Sequence, residues 1–263
     1  MQEIGDGNVL LRIENHRADV VLNRPERRNA MNQALLGDLR TALEEVEARD
    51  DVRVMVLSGT GDVFCAGMDL EMMKRRGEDD APDLEMGLDD ITHFIDDMSV
   101  PSVASIKGAA IAGAFELVLP VDFRIISEDA KYGVIEVELG LFPSGGATQR
   151  LPRLVGLSKA KELVLTGEYI DPYEAEQCGL VHEVVEDRSA TDDRAREWAD
   201  SLAENAPLGM AYARQMLNAA LETPLEHGLE REGELGEMLT ETDDYTEGFT
   251  ARLEGREPEF EGR

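Results

Sequence analysis

Two glutamates stand in apolar surroundings, where an acidic side chain is uncommon. Glu116 follows the small-residue stretch Gly108–Gly113, and Glu136 alternates with apolar neighbours. Burial among apolar groups raises the pKa of a carboxyl group, which suits it to proton transfer near neutral pH. Two structural roles fit the same residues: Glu116 could cap its own helix, and Glu136 with Glu138 could form the solvent face of an edge strand.

Two turns of small residues could present backbone N–H groups to a ligand. Phe64–Leu70 follows a strand-like segment, and Gly113 lies at or near the predicted start of a helix, where the first amides lack acceptors and favour negative charge. Glu116 follows Gly113 by three residues and therefore lies on the same helix face. For Phe64–Leu70, an ordinary strand-to-helix connection is the simpler explanation.

Several other kinds of site find no support in the sequence. The four histidines share no spacing with each other or with the acids, and Cys65 and Cys178 stand outside CxxC motifs, so we predict neither a metal site nor a disulfide framework. Ser144 lacks the GxSxG context of a hydrolase nucleophile, and no glycine-rich nucleotide loop occurs.

The composition limits the partners of the chain. Its residues include 56 Asp plus Glu against 26 Lys plus Arg, which gives a formal net charge of −30 at pH 7. Such a field repels phosphate backbones, so we expect no binding of nucleic acid by charge attraction. Only five of the basic residues are lysines. An acid-rich, lysine-poor composition of this kind suggests a halophilic protein, kept soluble in concentrated salt.

Length and apolar patterning predict a cytoplasmic protein with no membrane span. At about 150 residues per domain, 263 residues form one large domain or one domain with an appendage. The longest apolar runs, such as Ile111–Leu119, fall short of the roughly 20 residues that cross a bilayer. The acidic N-terminus lacks the pattern of a signal peptide.

Alternating strands and helices predict an α/β fold with largely parallel strands. Short β-branched runs at Val9–Ile13 and Val20–Leu22 predict a hairpin. The next predicted elements are a helix at Gln33–Ala48, strands at Val52–Leu57 and Val103–Ile106, a helix start at Ala114–Leu119 and a strand at Phe123–Ser127.

Helical spacing dominates after about Ser158. The predicted helices there are Ser158–Thr166, Ala190–Glu204, Leu208–Leu221 and Leu225–Thr240. We therefore divide the chain into a core at 1–197 and a helical C-terminal region at 198–263. The acidic stretch Gly77–Asp90, broken by Pro82, is predicted to be a mobile loop.

The sequence resembles the enoyl-CoA hydratase/isomerase (crotonase) family over essentially its whole length. The resemblance is carried by ordered segments that include VFCAGMDL and ELGLFPSGGATQRLPRLVG. The matching segments lie at Leu22–Asn32, Val63–Leu70, Pro101–Ile125, Glu138–Gly156, Leu165–Val181 and Tyr245–Phe260.

The resemblance implies a spiral of ββα units and a site for a CoA thioester. By motif, the backbone amides of Met68 and Gly113 hold the thioester oxygen and stabilise an enolate. Glu116 activates water at C3, Glu136 exchanges the C2 proton, and the Ser144 amide orients the water. Because both glutamates are present, the resemblance favours an enoyl-CoA hydratase, which adds water reversibly and syn to a trans-2-enoyl-CoA to give a 3-hydroxyacyl-CoA.

The resemblance also implies partners and further contacts. CoA enters as part of the substrate, with no metal and no redox cofactor, and C-terminal helices pack between subunits in a homotrimer or homohexamer. Fatty acid β-oxidation is the kind of metabolism implied. The expected substrate contacts are Ala66, Asp69, Leu70, Arg27 and Arg28. Glu71 stands where the family often has lysine, so Arg27, Arg28, Arg75 and Arg76 are candidates to hold the CoA phosphates.

Three alternatives stay open at this point. The protein could be an enoyl-CoA isomerase, which generally needs one acidic group, or a hydratase for a branched or carboxylated acyl group. It could also be an oligomeric scaffold without catalytic activity.

Overall fold

Two sheets form the framework of the fold in a computed structural model, which describes residues 1–76, 78 and 85–263. The strands of this part of the chain are β1 (Gln2–Ile4), β2 (Val9–Glu14), β3 (Arg17–Leu22), β4 (Val54–Gly59), β5 (Ser102–Ile106), β6 (Ala109–Ile111), β7 (Phe123–Ser127), β8 (Lys131–Gly133) and β9 (Glu183–Val185). The large sheet has the order β1-β2-β3-β4-β5-β7-β9, antiparallel up to β3 and parallel from there on. Strands β6 and β8 form a small parallel sheet.

Helices follow and cover these strands. They are α1 (Gln33–Glu47), α2 (Leu70–Arg75), α3 (Leu88–Asp97), α4 (Gly113–Val118), α5 (Ala147–Thr166), α6 (Pro172–Gln177), α7 (Thr191–Ala203), α8 (Pro207–Ala219), α9 (Leu225–Thr240) and α10 (Asp243–Glu254). Short 3₁₀ helices occur at Pro25–Arg27, Glu136–Leu139 and Arg188–Ala190. No helix of the described residues is long and apolar enough to cross a membrane.

Successive ββα units bring equivalent segments side by side. The first strands of three units, β4, β5 and β7, are neighbours in the large sheet. The second strands, β6 and β8, pair in the small sheet, and Cys65 extends that sheet through a parallel bridge to Ala110. The chain therefore winds as a spiral, and the residues just beyond the second strands meet at one edge of the small sheet.

The large sheet is covered on both faces because its central strands are apolar on both sides. Met55 and Leu57 of β4 belong to the main core, which includes the buried face of α1. Val54 and Val56 of the same strand pack with the alanines of α7 in a second cluster. Alternate residues of one strand thus serve two different layers.

The sequence predicted this architecture well where the pattern is local. The parallel-dominated α/β fold is confirmed, and so is the hairpin, formed by β2 and β3. The strand Phe123–Ser127 and the helix Leu225–Thr240 have the predicted bounds. The predicted helices near 33–48, 190–204 and 208–221 are present with bounds shifted by one or two residues.

Three expectations are corrected by the structure. Strand β9 lies in the C-terminal half that was expected to be helical, because the parallel edge of β7 offers it a partner. The boundary at 197/198 falls inside α7, which packs on the large sheet and so belongs with the core. Of the acidic stretch at 77–90, residues 77 and 79–84 lie outside the described part, and 88–90 form the first turn of α3.

Candidate active site

The amides of Met68 and Gly113 lie at equivalent points of neighbouring spiral turns. Each residue is three positions beyond a member of the Cys65–Ala110 bridge. A Cβ atom placed on Gly113 would lie 3.0 Å from Met68 Cγ, so the two segments are in direct contact. Adjacent strands are about 4.8 Å apart, a spacing that suits two N–H groups sharing one oxygen at about 2.9 Å each.

Neither of these two N–H groups donates a hydrogen bond to another described residue. In the bridge between Met31 and Met68, the two hydrogen bonds join Met31 to the Gly67 carbonyl and the Asp69 amide, at 2.8 and 2.9 Å. The Met68 N–H therefore takes no part. Gly113 is the first residue of α4, and the first amides of a helix have no acceptor within it. Two free donors are left beside each other.

The residue before each amide has an unusual backbone conformation. Gly67 has φ +99°, and a Cβ there would lie 2.6 Å from the Ile111 carbonyl oxygen, so only glycine fits this approach. Ala112 has φ +54° and ψ −123°, a conformation that costs a residue with a side chain about 1–3 kcal/mol. Since α4 is only six residues long, the individual N–H groups matter more here than a helix dipole.

Glu116 is buried in α4 and bonds to another part of the chain. The residue is only 4% exposed. Its Oε1 atom accepts a hydrogen bond of 3.2 Å from the Ala147 amide at the start of α5. It does not cap its own helix, which excludes that structural role. Burial raises the pKa of Glu116 to about 7, the Ala147 amide opposes the rise, and the charge of the nearby Glu136 adds to it.

Glu136 begins a 3₁₀ helix, not a strand as expected from its alternation. Gly140, with φ +74°, closes that helix after one turn. Glu136 is 7% exposed while Glu138 is exposed, so the two do not form one solvent face. Both carboxylate oxygens of Glu136 are buried with no hydrogen-bond partner among the described residues, and burial raises the pKa of this carboxyl group.

The turn that carries Ser144 packs directly over Glu116. A Cβ on Gly145 would lie 3.0 Å from Glu116 Oε2, which shows how closely this turn approaches the carboxylate. Ser144 itself is exposed. The turn is held from two helices: Thr92 Oγ1 of α3 donates to the Gly145 carbonyl at 3.0 Å, and Arg150 Nη1 of α5 donates to the same carbonyl at 3.2 Å.

The expected substrate contacts divide into two groups. Asp69 has a structural role. Its carboxylate accepts hydrogen bonds from the backbone amides of Glu71 and Met72, at 3.0 and 3.2 Å, and so caps the N-terminus of α2. Leu70 is exposed, and Arg27 forms a 3.8 Å ion pair with Glu71 at the surface.

Arg28 and Ala66 belong instead to a cavity of about 320 Å³ beside the two amides. The cavity is also lined by Ile111, Lys131 and Arg188. Among the residues described, Arg28 and Lys131 have no carboxylate partner in an ion pair, whereas Arg188 pairs with Asp129. In a chain of net charge −30, three basic side chains around one cavity mark a place that favours an anion.

Comparison with known proteins decides the family. The profile of the enoyl-CoA hydratase/isomerase family matches residues 12–263. The chain belongs to the enoyl-CoA hydratase/isomerase family. It is 36% identical over 248 residues to the 2,3-dehydroadipyl-CoA hydratase of Escherichia coli, covering 93% of this chain and 94% of that protein. It is 33% identical over 253 residues to the short-chain-enoyl-CoA hydratase of Clostridium acetobutylicum, covering 96% and 97%.

Solved structures agree with this membership of the enoyl-CoA hydratase/isomerase family. The crystal structure of an enoyl-CoA hydratase from Bacillus anthracis superposes with a TM-score of 0.90 at 33% identity, covering 97% of this chain and all of that one. The crotonase-type fold expected from the resemblance is therefore confirmed.

Sequence reasoning missed several residues around the site of this family member. Lys131 and Arg188 reach the cavity from segments 57 residues apart, and Leu88 lies against Gly113 and Gly145 from α3. Their residue types carry no local signal of such a role. These residues come together at one edge of the small sheet only because the chain winds as a spiral.

Proposed function

We propose that the protein is an enoyl-CoA hydratase, which adds water reversibly and syn to the double bond of a trans-2-enoyl-CoA. The observation that carries the proposal is a pair of neighbouring buried glutamates in unequal environments. Glu116 accepts a hydrogen bond from the Ala147 amide and has a pKa raised to about 7. Glu136 has two buried carboxylate oxygens with no hydrogen-bond partner among the described residues. Two free backbone amides lie nearby, at Met68 and Gly113.

These groups suit the charge changes of hydration. The two amides bind the thioester oxygen, which gains negative charge when water adds to C3, and one such donor is worth roughly 3–4 kcal/mol in the transition state. Glu116 as carboxylate takes a proton from the water that attacks C3. Glu136 in its protonated form gives a proton to C2, and the Ser144 amide helps to hold the water. The reaction transfers no electrons, so it requires no redox cofactor, and we propose that it proceeds without a metal.

Substitution of either glutamate tests this proposal. Glu116→Gln and Glu136→Gln should each lower kcat for hydration of crotonyl-CoA by about 10²–10⁴, the usual contribution of a positioned acid or base. The measurement is the loss of absorbance of the conjugated thioester. Glu138→Gln is the matched control, because Glu138 lies in the same 3₁₀ helix as Glu136 but is exposed, and it should keep normal activity.

Other outcomes would favour the alternatives. Full hydration by both glutamine variants would refute the two-acid mechanism. Isomerisation of a 3-enoyl-CoA that survives the loss of one glutamate would identify an isomerase. Folded protein that binds no acyl-CoA would point to a scaffold.

We propose further that the basic cavity holds the phosphate-bearing end of CoA. Its residues Ala66 and Ile111 are each one position before a residue of the turns that carry the two amides, Gly67 and Ala112, so the cavity and the thioester site adjoin. Arg28 and Lys131 face it without carboxylate partners of their own in the described structure. Arg27 is the weaker candidate, because Glu71 already pairs with it.

Replacement of Lys131 tests the cavity. Lys131→Gln should raise KM for crotonyl-CoA about fivefold, since an exposed ion pair is worth up to about 1 kcal/mol, and should leave KM for crotonyl-pantetheine, which lacks the nucleotide phosphates, unchanged. Lys161→Gln, at an exposed lysine of α5, is the control. Equal effects of Lys131→Gln on both substrates would exclude phosphate binding there.

We also propose that the chain assembles with copies of itself, as a homotrimer or homohexamer, through its C-terminal helices. Large apolar side chains are exposed along α8, α9 and the segment between them, including Leu217, Leu221 and Leu225, each more than 70% exposed. Apolar surface of this extent is typical of an interface.

A further inference from the structure

The turn that covers Glu116 is held in place through one carbonyl group. The Gly145 carbonyl oxygen accepts two hydrogen bonds, at 3.0 Å from Thr92 Oγ1 and at 3.2 Å from Arg150 Nη1. Two residues further along the chain, the Ala147 amide donates to Glu116 Oε1 at 3.2 Å. The direction of that amide, and with it the place of the carboxylate, therefore depends on how firmly the Gly145 carbonyl is held.

Arg150 reaches this carbonyl from an unusual position. It is the fourth residue of α5, close to the N-terminus, where a cation opposes the helix dipole, so the helix itself gains nothing from its charge. Asp96 of α3 holds the guanidinium, because its Oδ2 atom accepts hydrogen bonds from Arg150 Nε, at 2.9 Å, and from Nη2. Gly146 leaves room for the guanidinium, since a Cβ atom at that position would overlap Arg150 Nη1. The side chain is thus fixed between α3 and the turn.

The guanidinium also acts on Glu116 through its charge. It lowers the pKa of Glu116, against the larger effect of burial, which raises that pKa to about 7. The charge of Glu136, from the 3₁₀ helix, raises it further. From α3, Asp96 faces the guanidinium, and the other titratable side chains of that helix are exposed: Asp89, Asp90, His93 and Asp97.

We propose that Arg150 is a positioning residue for Glu116, an inference that rests on the proposed function of that glutamate. Its guanidinium holds the Gly145 carbonyl and so directs the Ala147 amide at the carboxylate, and Asp96 holds the guanidinium in turn. No ion pair joins Arg150 to Glu116 among the described residues. Arg150 therefore acts through the turn and through its electrostatic field, without touching the reacting groups.

The first experiment follows the titration of Glu116 itself, so that it does not depend on turnover. Carbon-13 NMR of the full-length protein, labelled at the side-chain carboxyl of glutamate, records the titrations, and Glu116→Gln identifies the Glu116 signal. In Arg150→Met, the Glu116 titration should move to higher pH, because the charge that favours the carboxylate is lost. In Arg150→Lys it should stay near that of the wild type, because lysine keeps the charge.

Kinetics test the contact separately from the charge. Both Arg150 variants should lower kcat for crotonyl-CoA by about tenfold to a hundredfold and leave KM unchanged. Neither new side chain has the planar fork that contacts Asp96 and the Gly145 carbonyl together, and a misplaced reacting group costs up to about that much in rate.

Two further variants keep the result interpretable. Thr92→Val removes the other donor to the Gly145 carbonyl without changing any charge, and it should lower kcat in the same way even if Arg150→Met is unstable. Arg153→Met, the same change at an exposed arginine of α5, is the matched control and should leave both kcat and the Glu116 titration as in the wild type.

The outcomes separate the role of Arg150 from the proposed reaction. A Glu116 titration that moves in Arg150→Met, in a protein that hydrates no enoyl-CoA, would refute the hydratase and keep the role of Arg150. A Glu116 titration that Arg150→Met leaves unchanged would overturn that role, and so would full kcat in both Arg150 variants of an active enzyme. An equal shift in Arg153→Met would overturn it as well, because the loss of any positive charge from α5 would then suffice.

Discussion

At the scale of single residues, the two glutamates have different environments although both are buried. Glu116 accepts a hydrogen bond from the Ala147 amide, which favours its charged form, and Glu136 has no donor for either oxygen within the described structure. Hydration needs one group that accepts a proton and one that donates it at the same pH. Because the charge of Glu136 also raises the pKa of Glu116, ionisation of one carboxyl group opposes ionisation of the other, and the pair can hold one proton between them.

The pKa of Glu116 leads to a prediction about the acid limb of the pH profile. Because that pKa is raised to about 7, chiefly by burial, a growing fraction of Glu116 is protonated as the pH falls through 7. A protonated Glu116 cannot take a proton from water, so kcat/KM for crotonyl-CoA should fall about tenfold per pH unit well below 7. An acid limb centred near 4.5, the ordinary value, would contradict this assignment.

The same shift predicts the sign of a stability effect. In the unfolded chain Glu116 returns to its ordinary pKa of 4.5, so between pH 4.5 and 7 the folded state binds the proton more tightly and loses stability as the pH rises. Glu116→Gln removes this cost. Compared with the wild type, the variant should therefore gain up to about 3 kcal/mol more in its free energy of unfolding at pH 8 than at pH 4. Urea titrations at both pH values measure it.

At the scale of elements, a buried arginine fixes the helix that carries Leu88. Arg214 of α8 donates through Nη2 to the Ile95 carbonyl at 2.7 Å and through Nη1 to the Asp96 carbonyl at 2.9 Å, at the C-terminal end of α3. Its Nε lies 2.9 Å from both carboxylate oxygens of Asp122. The last carbonyls of a helix have no N–H donor within the helix. Arg214 supplies hydrogen bonds to two of them, and the same contacts hold α8 against the core.

Loss of this arginine should destabilise the fold. Arg214→Met leaves Asp122 without its guanidinium partner and the α3 carbonyls without a donor, which we expect to lower the free energy of unfolding by about 3–5 kcal/mol in urea titrations. Arg231→Met in α9 removes an exposed arginine with an i,i+3 partner, Glu234, and should change it by less than about 0.5 kcal/mol. Equal, small effects of both variants would show that α8 does not depend on this contact.

At the scale of the whole molecule, net charge and exposed apolar surface oppose each other. A charge of −30 on each chain makes copies repel, while the apolar surface of α8 and α9 favours their association. Salt shortens the range of the repulsion, to about 3 Å at 1 M. Assembly and folding should therefore both depend on salt.

Light scattering and thermal melting across a KCl series test this balance. We expect the mass of a trimer or hexamer in 1 M KCl, a smaller mass in dilute buffer, and a melting temperature that rises with salt. Leu217→Glu and Leu221→Glu place charge on the proposed interface and should give a single chain in 1 M KCl. The mass of a single chain at every salt concentration would contradict the assembly, and a melting temperature independent of salt would contradict the salt-adapted interpretation.

The amino-acid sequence alone determined the fold class, the bounds of elements such as α9 and β7, and, through its motifs, the family, because periodicity and motif order are local properties of the chain. Tertiary structure decided the site. Alternation suggested a strand at Glu136, yet a tight turn ending at Gly140 makes a 3₁₀ helix and buries both oxygens. The contact of Met68 with Gly113 is set by strand register, and that of Leu88 with Gly145 by the docking of α3. Such contacts join segments tens of residues apart, and no local pattern encodes them.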